Sequence, residues 1–392
     1  MLQKIINFSI YLVVFCLPLY LIRFKVGWVP FNILEVLVYV LFVLWIISWN
    51  LAREKVRPQE RSDLSVSFLA PIFLIFLGVT ISTWFSSDLE VSAGIWKGWF
   101  LSPLLFFIVV INHIKTKEQV RNIIVSLTLS GLGVVLLSNN LTYDGRLHGF
   151  YLSANYLAMY LSPILILSLY LYSLTKNKII KILLITNYLL LITVIYLTYS
   201  YGAWLGLGFA FVFIVLNRKD KKLALILFSL IILGLVLQIP SHKFQGFLDL
   251  SYPSSESRLV IWQSAWEISK DHSFIGIGPG MFQKYYLEYQ DKFALYPEWA
   301  VPQPHNIFFS FWLQTGLIGL SGFIWLLIVF FRNALRTFLY EGTSSTISAI
   351  LVAAMIYVLV HGLVDTTYWK NDLALIFWLI IALGYKASRL FG

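Results

Sequence analysis

The chain has 392 residues, 59% of them hydrophobic and 12% charged, with a mean hydropathy of +0.79. That composition excludes a pair of soluble domains and describes an integral membrane protein. The formal charge of +10 sits in short clusters between apolar runs, which is a membrane-topology pattern and argues against a nucleic-acid partner.

A helix needs about 20 mostly apolar residues to cross the hydrocarbon core. Taken in order, about twelve segments qualify: 5–22, 30–50, 66–84, 95–112, 119–138, 152–173, 179–198, 201–217, 223–239, 306–331, 346–364 and 373–388. The expected fold is all-α, a polytopic transmembrane helical bundle. The first run follows Lys4 as a signal peptide would. Its end, LPLYLIRF, lacks a small-residue cleavage site, so it is read as a retained span. Segments 179–198 and 201–217 are nearly continuous, which predicts a tight hairpin around Tyr199 to Gly202. One long polar interval remains, between the ninth and tenth spans. The chain is expected to divide into spans one to nine (1–239), a loop with short helices (240–305) and spans ten to twelve (306–392).

Positively charged loops stay cytoplasmic. The clusters Arg53, Lys55, Arg57, Arg61; Lys115, Lys117, Arg121; Lys176, Lys178, Lys181; and Arg218, Lys219, Lys221, Lys222 fall on alternate loops. Both termini are therefore expected in the cytoplasm and the 240–305 loop outside. Cys16 is the single cysteine, which precludes an intrachain disulfide or a cysteine metal site.

On that external face three cations stand where topology does not call for them: Lys97 in IWKGWFLSP, Arg146 in YDGRLHGFYLSANYLA, and Arg258 at the head of a loop helix. Ser254 or Ser255 is expected to cap that helix. Arginine suits bidentate phosphate recognition, and a lipid diphosphate at the outer leaflet is a natural target. Each cation could equally pair with a carboxylate or a headgroup. Trp262 and Trp266 lie one and two turns beyond Arg258 and are expected to dock its helix on the bundle.

His305 lies at the mouth of the tenth span, with Pro302 and Pro304 holding its approach extended. A neutral imidazole there can take a proton from an acceptor hydroxyl. Asn306 can orient the ring or a sugar, or simply cap the helix. His361 and Asp365 form an i,i+4 pair and are candidates to support the site from behind, or to make a structural hydrogen bond. GIGPG at 276–280 reads as a tight turn, because no strand precedes it as a nucleotide loop would require. Gly316, Gly319 and Gly322 suggest close helix packing. Loop aromatics such as Phe282, Tyr286, Tyr296 and Trp299 could stack on sugars or pack on the bilayer surface. No HExxH, Asp-x-Asp or GxSxG pattern occurs, so no metal or other cofactor is expected.

These residues resemble the O-antigen ligase and polymerase family of bacterial envelope glycosyltransferases. The resemblance lies in RLHGFYLSANYLAMYL (146–161), TYSYGAWLGL (198–207), RLVIWQSAW (258–266) with SFIGIGPGMF (273–282), and HN (305–306) followed by GLIGL (316–320). It implies a metal-independent transferase of the cytoplasmic (inner) membrane. The donor would be an undecaprenyl-diphosphate-linked glycan, and the acceptor a lipid core or another glycan. By the same resemblance Arg258 holds the diphosphate, His305 activates the acceptor hydroxyl, and Arg146 and Asn155 shape the donor site. One departure stands out. The family commonly has Ser-Arg-Gly where this chain has Ser200, Tyr201 and Gly202; either Arg146 or Lys97 supplies the missing charge, or this member handles its donor differently, or it is not an active transferase.

A small-solute transporter, for inorganic carbon for instance, is the rival from another class. A transporter should carry its ionisable groups near mid-bilayer. Glu35 is the plainly intramembrane carboxylate, and it lies near the outer end of its span.

Overall fold

The fold comes from a computed structural model that describes residues 2–27, 29–53, 66–138, 141–143, 145–217, 222–239, 253–289, 292–293, 301–340 and 346–390. Of the residues named above, Lys55, Arg57, Arg61, Arg218, Lys219, Lys221, Tyr296 and Trp299 lie outside these. The described chain is a helical bundle with two small antiparallel hairpins, Arg23–Val26 with Val29–Asn32 and Thr142–Tyr143 with Arg146–Leu147. Seven helices among the described residues are long and apolar enough to cross a membrane. Four shorter apolar helices, Leu2–Phe15, Tyr201–Asn217, Lys222–Gln238 and Thr346–Gly362, coincide with further expected segments. At 1.5 Å per residue, a helix of 17 residues reaches only about 26 Å.

Two helices form the middle of the bundle. In α7 (Ala154–Leu174) every residue from Leu157 to Tyr170 is buried. Helix α14 (Thr346–Gly362) is buried on nearly every side as well. Both are surrounded by protein, and both present an end to the candidate site. The predicted hairpin is present: α8 (Lys178–Leu197) stops, Tyr199 takes φ 49°, and α9 (Tyr201–Asn217) starts.

The polar interval contributes α11 (Pro253–Asp271) and α12 (Phe282–Tyr289). Proline suits the first turn of a helix. Ser254 and Ser255 fall within that turn, and their side chains lie outside what the structure describes. Phe282 and Tyr286 are fully buried, packing with Ile261, Ala265, Ile268 and Leu313 in a small core of their own. They are neither free to stack on sugars nor laid on the bilayer. Trp266 meets Trp312 edge to face at 5.7 Å, as expected of a docking residue.

This unit is bolted to α13 (Ile307–Tyr340) at a kink. Gly316 has φ 67° and ψ −179°, a combination that is essentially restricted to glycine. The backbone groups freed there bond the 273–280 loop: Leu317 N–H donates to Ser273 O at 3.0 Å, and Ile277 N–H to Leu313 O at 2.6 Å. Gly280 N–H donates to Gln314 Oε1 at 2.8 Å, and Gln314 Nε2 to Gln303 Oε1 at 2.9 Å. GIGPG is thus a docking segment rather than a simple turn. Gly319 and Gly322 do allow close packing. A Cβ on Gly78 would stand 2.4 Å from Gly319 N, and one on Gly322 would stand 2.7 Å from Ile75 N, so α3 (Val66–Trp84) meets α13 backbone to backbone.

Candidate active site

The site is assembled where the 301–306 segment, the 363–370 loop, the start of α7 and the 198–202 turn converge. His305 takes φ 46°, a left-handed conformation that non-glycine residues rarely adopt. It is held by the indole Nε1 of Trp262, which donates to Pro304 O at 3.1 Å and His305 O at 3.4 Å. Asn306 supplies the other restraint. Its Oδ1 accepts from Phe308 N–H and Phe309 N–H at 2.9 and 3.1 Å, capping α13, and its Nδ2 donates to Leu363 O at 2.9 Å. Asn306 is therefore a cap and a tie to the 363–370 loop, and its amide is turned to backbone rather than toward a ligand.

The fixed imidazole meets Asp365. The Nδ1 to Oδ1 distance is 3.1 Å, the carboxylate is buried, and the ring is 28% exposed. A carboxylate can only accept, so Nδ1 carries a hydrogen whether or not the ring is protonated, and in the neutral ring Nε2 keeps its lone pair. That is the tautomer a general base needs. The same Oδ1 accepts from Thr366 N–H at 2.9 Å, and Oδ2 accepts from Asn155 Nδ2 at 2.9 Å. Burial alone would raise the Asp365 carboxyl. The charge and hydrogen bond of His305, with the charges of His361 and Arg258, outweigh burial and hold the group well below the usual carboxylate range.

Arg258, half-buried on α11, makes itself felt at both Asp365 and His361. The i,i+4 pair is real in the backbone, since Asp365 N–H donates to His361 O at 3.0 Å. Their side chains part company, however: His361 Nδ1 bonds the Tyr357 hydroxyl at 2.7 Å, and Asp365 turns to His305. Gly202 gives His361 its room, for a Cβ there would lie 2.6 Å from the ring. Tyr201, beside it, opens α9 and packs partly buried against the main core.

Arg146 completes the set. Its Nε donates to Thr198 O at 2.8 Å and its Nη2 to Asn155 Oδ1 at 2.6 Å. Ser153 caps α7 and so fixes Asn155 in the first turn. Thr198 was not among the expected residues; a backbone carbonyl at a turn leaves no mark in a side-chain pattern.

Lys97 belongs elsewhere. Its Nζ bonds Glu35 Oε2 at 2.6 Å and the carbonyl of Pro30, and lies 3.9 Å from the centre of the Phe31 ring. A single turn of π-helix, Trp96–Leu101, offsets the backbone there. Gly98 leaves room for Glu35 Oε1, which also accepts from Asn371 Nδ2 at 3.1 Å. The cation expected at the substrate is therefore committed to a buried ion pair.

No curated protein matches the chain. Residues 186–324 match the family model described as O-antigen ligase. That stretch carries Arg258, Trp262, His305 and the Gly316 kink, while Arg146, Asn155, His361 and Asp365 lie outside it. Over residues 186–324 the chain is similar to the O-antigen ligase family.

Proposed function

We propose that the protein is a membrane glycosyltransferase of the ligase type. It moves an undecaprenyl-diphosphate-linked glycan onto an acceptor hydroxyl, on a lipid core or similar molecule, at the external face of the inner membrane. The observation that carries this reading is the buried Asp365 carboxylate bonded to His305 and under the charge of Arg258, two of the three within the family-matched stretch.

The chemistry follows from those groups. The acceptor hydroxyl gives its proton to His305 Nε2 as its oxygen attacks the anomeric carbon. The bond from that carbon to the diphosphate oxygen breaks, and its electron pair stays on the diphosphate. Arg258 offsets the negative charge that grows there, in a site where fixed cations act more strongly than in water. A positioned base of this kind contributes typically about 10²–10⁴ in rate. The donor linkage already holds the driving force, so the transfer needs neither ATP nor a metal. In this reading the 240–305 interval lies outside with the catalytic residues, and the shorter apolar helices complete a bundle of about twelve spans.

Extension of the glycan by a polymerase uses the same donor and the same two residues. The acceptor separates the two activities. The test is transfer in vitro from a purified polyprenyl-diphosphate glycan to lipid core or to glycan, comparing wild type with Arg258→Ala and His305→Ala. Loss in both variants supports the reading; wild-type rates in both would remove it.

A further inference from the structure

We infer that Arg146 and Asn155 are positioning residues for the His305–Asp365 pair and do not bind the donor diphosphate. The inference rests on the transferase reading above. Each link in the series has one chemically allowed direction. Guanidinium can only donate, so the Asn155 oxygen must face Arg146, at 2.6 Å from Nη2. The Asn155 amide nitrogen then faces Asp365 Oδ2 at 2.9 Å, an atom that can only accept. A flipped amide would set nitrogen against guanidinium and oxygen against carboxylate, two repulsive contacts in place of two bonds. Arg146 is itself anchored through Nε to Thr198 O. The orientation of one arginine thereby fixes the amide, the amide fixes the carboxylate, and the carboxylate fixes the imidazole at 3.1 Å.

Two of the guanidinium's nitrogens are spent on protein: its Nε/Nη2 edge, one of the two that can grip a phosphate in a fork, is directed at Thr198 and Asn155. Among the described residues, the charged and titratable groups acting on Asp365 are His305, His361 and Arg258; Tyr156 and Tyr357 feel its charge in turn. Arg146 places a fixed positive charge on the far side of Asn155 from Asp365. Removing that cation leaves the Asp365 charge less offset, and the acid limb of the rate profile is expected to move to higher pH.

The experiment uses the full chain in lipid nanodiscs, with Arg146→Gln, Arg146→Lys and Asn155→Leu beside wild type and Arg258→Ala. Melting temperature confirms that each variant is folded. Binding is read with undecaprenyl diphosphate alone, catalysis as kcat against pH with saturating donor, and the His305 ring by nitrogen-15 NMR of the imidazole. A misplacement of about 1 Å costs roughly 10²-fold in rate, so kcat should fall by about that factor in Asn155→Leu and Arg146→Gln. The Kd for undecaprenyl diphosphate should stay within about twofold, as for a residue that makes no ground-state contact. The acid limb should move to higher pH in Arg146→Gln and stay in place in Arg146→Lys, and the His305 Nδ1 resonance should shift in Asn155→Leu. Weakened diphosphate binding with kcat retained at saturation would overturn the inference, as would an unmoved His305 resonance. If wild type transfers no glycan, the transferase reading fails by itself, and the imidazole spectrum still decides whether Asn155 positions the ring.

Discussion

Asp365→Asn changes one atom, and its consequences can be followed bond by bond. Asp365 Oδ1 receives two N–H groups, from Thr366 and His305, and Oδ2 receives one, from Asn155. An amide must place its NH2 at one of these positions. At Oδ1 it would face two donors, so it takes the Oδ2 position and faces the Asn155 NH2. Asn155 cannot turn to relieve the clash, because Arg146 holds its oxygen at 2.6 Å. One buried donor is left without an acceptor, at about 1–3 kcal/mol. The imidazole also loses the anion that stabilises its protonated form during the reaction. A serine-protease aspartate changed to asparagine loses about 10⁴ in kcat, and a loss of about 10²–10⁴ is expected here. The double exchange Asn155→Asp with Asp365→Asn supplies every donor with an acceptor again, but sets the negative charge one residue farther from the ring. It should recover the melting temperature and little of the rate. The assay is single-turnover transfer from a polyprenyl-diphosphate glycan beside a thermal melt. Wild-type transfer by Asp365→Asn would refute the reasoning, and so would a double exchange that recovers rate without stability.

Three further outcomes follow from the same contacts. Gly316→Ala forces a side chain into a glycine-only conformation, about 1–3 kcal/mol, and sets its Cβ 2.0 Å from Phe274 O; faster hydrogen exchange over 273–280 is expected, and unchanged exchange would show that the kink does not hold the loop. Lys97→Met leaves the Glu35 carboxylate buried and unpaired, a loss of about 3–5 kcal/mol in stability, which adding Glu35→Gln should partly reverse; a raised donor KM with wild-type stability would instead place Lys97 at the substrate. Because the Asp365 carboxyl is depressed in the fold, its stabilisation is present above the unfolded value of about 3.9 and is lost as pH falls through the lower folded value. The stability gap between wild type and Asp365→Asn should therefore shrink on acidification, as denaturant unfolding at a series of pH values would record.

What the sequence made legible was local. The apolar runs, the break at Tyr199 and the spacing of His361 and Asp365 all follow from neighbours on one helix or turn, and the structure shows them where they were expected. What it hid depends on the third dimension. Nothing in the spacing of His361 and Asp365 tells that the carboxylate turns away to His305, 60 residues distant. Whether Lys97 faced a substrate or a carboxylate stayed open in the sequence, because its partner, Glu35, is 62 residues earlier. Gly316 looked like its neighbours Gly319 and Gly322, since a glycine for close packing and a glycine for a forbidden backbone angle are written with the same letter. The loop aromatics looked exposed because a polar interval hides that Phe282 and Tyr286 have a core of their own. Seven long helices stand against about twelve expected spans because three helices of 17 residues and the 14-residue Leu2–Phe15 are short for crossing, while the last expected segment lies in the helix Asn371–Leu390.

In the proposed reaction His305 acts as the base in a site completed by Asp365 and Arg258. Chemical rescue measures this most directly: transfer by His305→Ala, with donor saturating, in the absence and presence of added imidazole. His305→Ala should be nearly inactive and regain rate in proportion to the neutral imidazole supplied, while Arg258→Ala should gain nothing. Full transfer by His305→Ala without imidazole would contradict it.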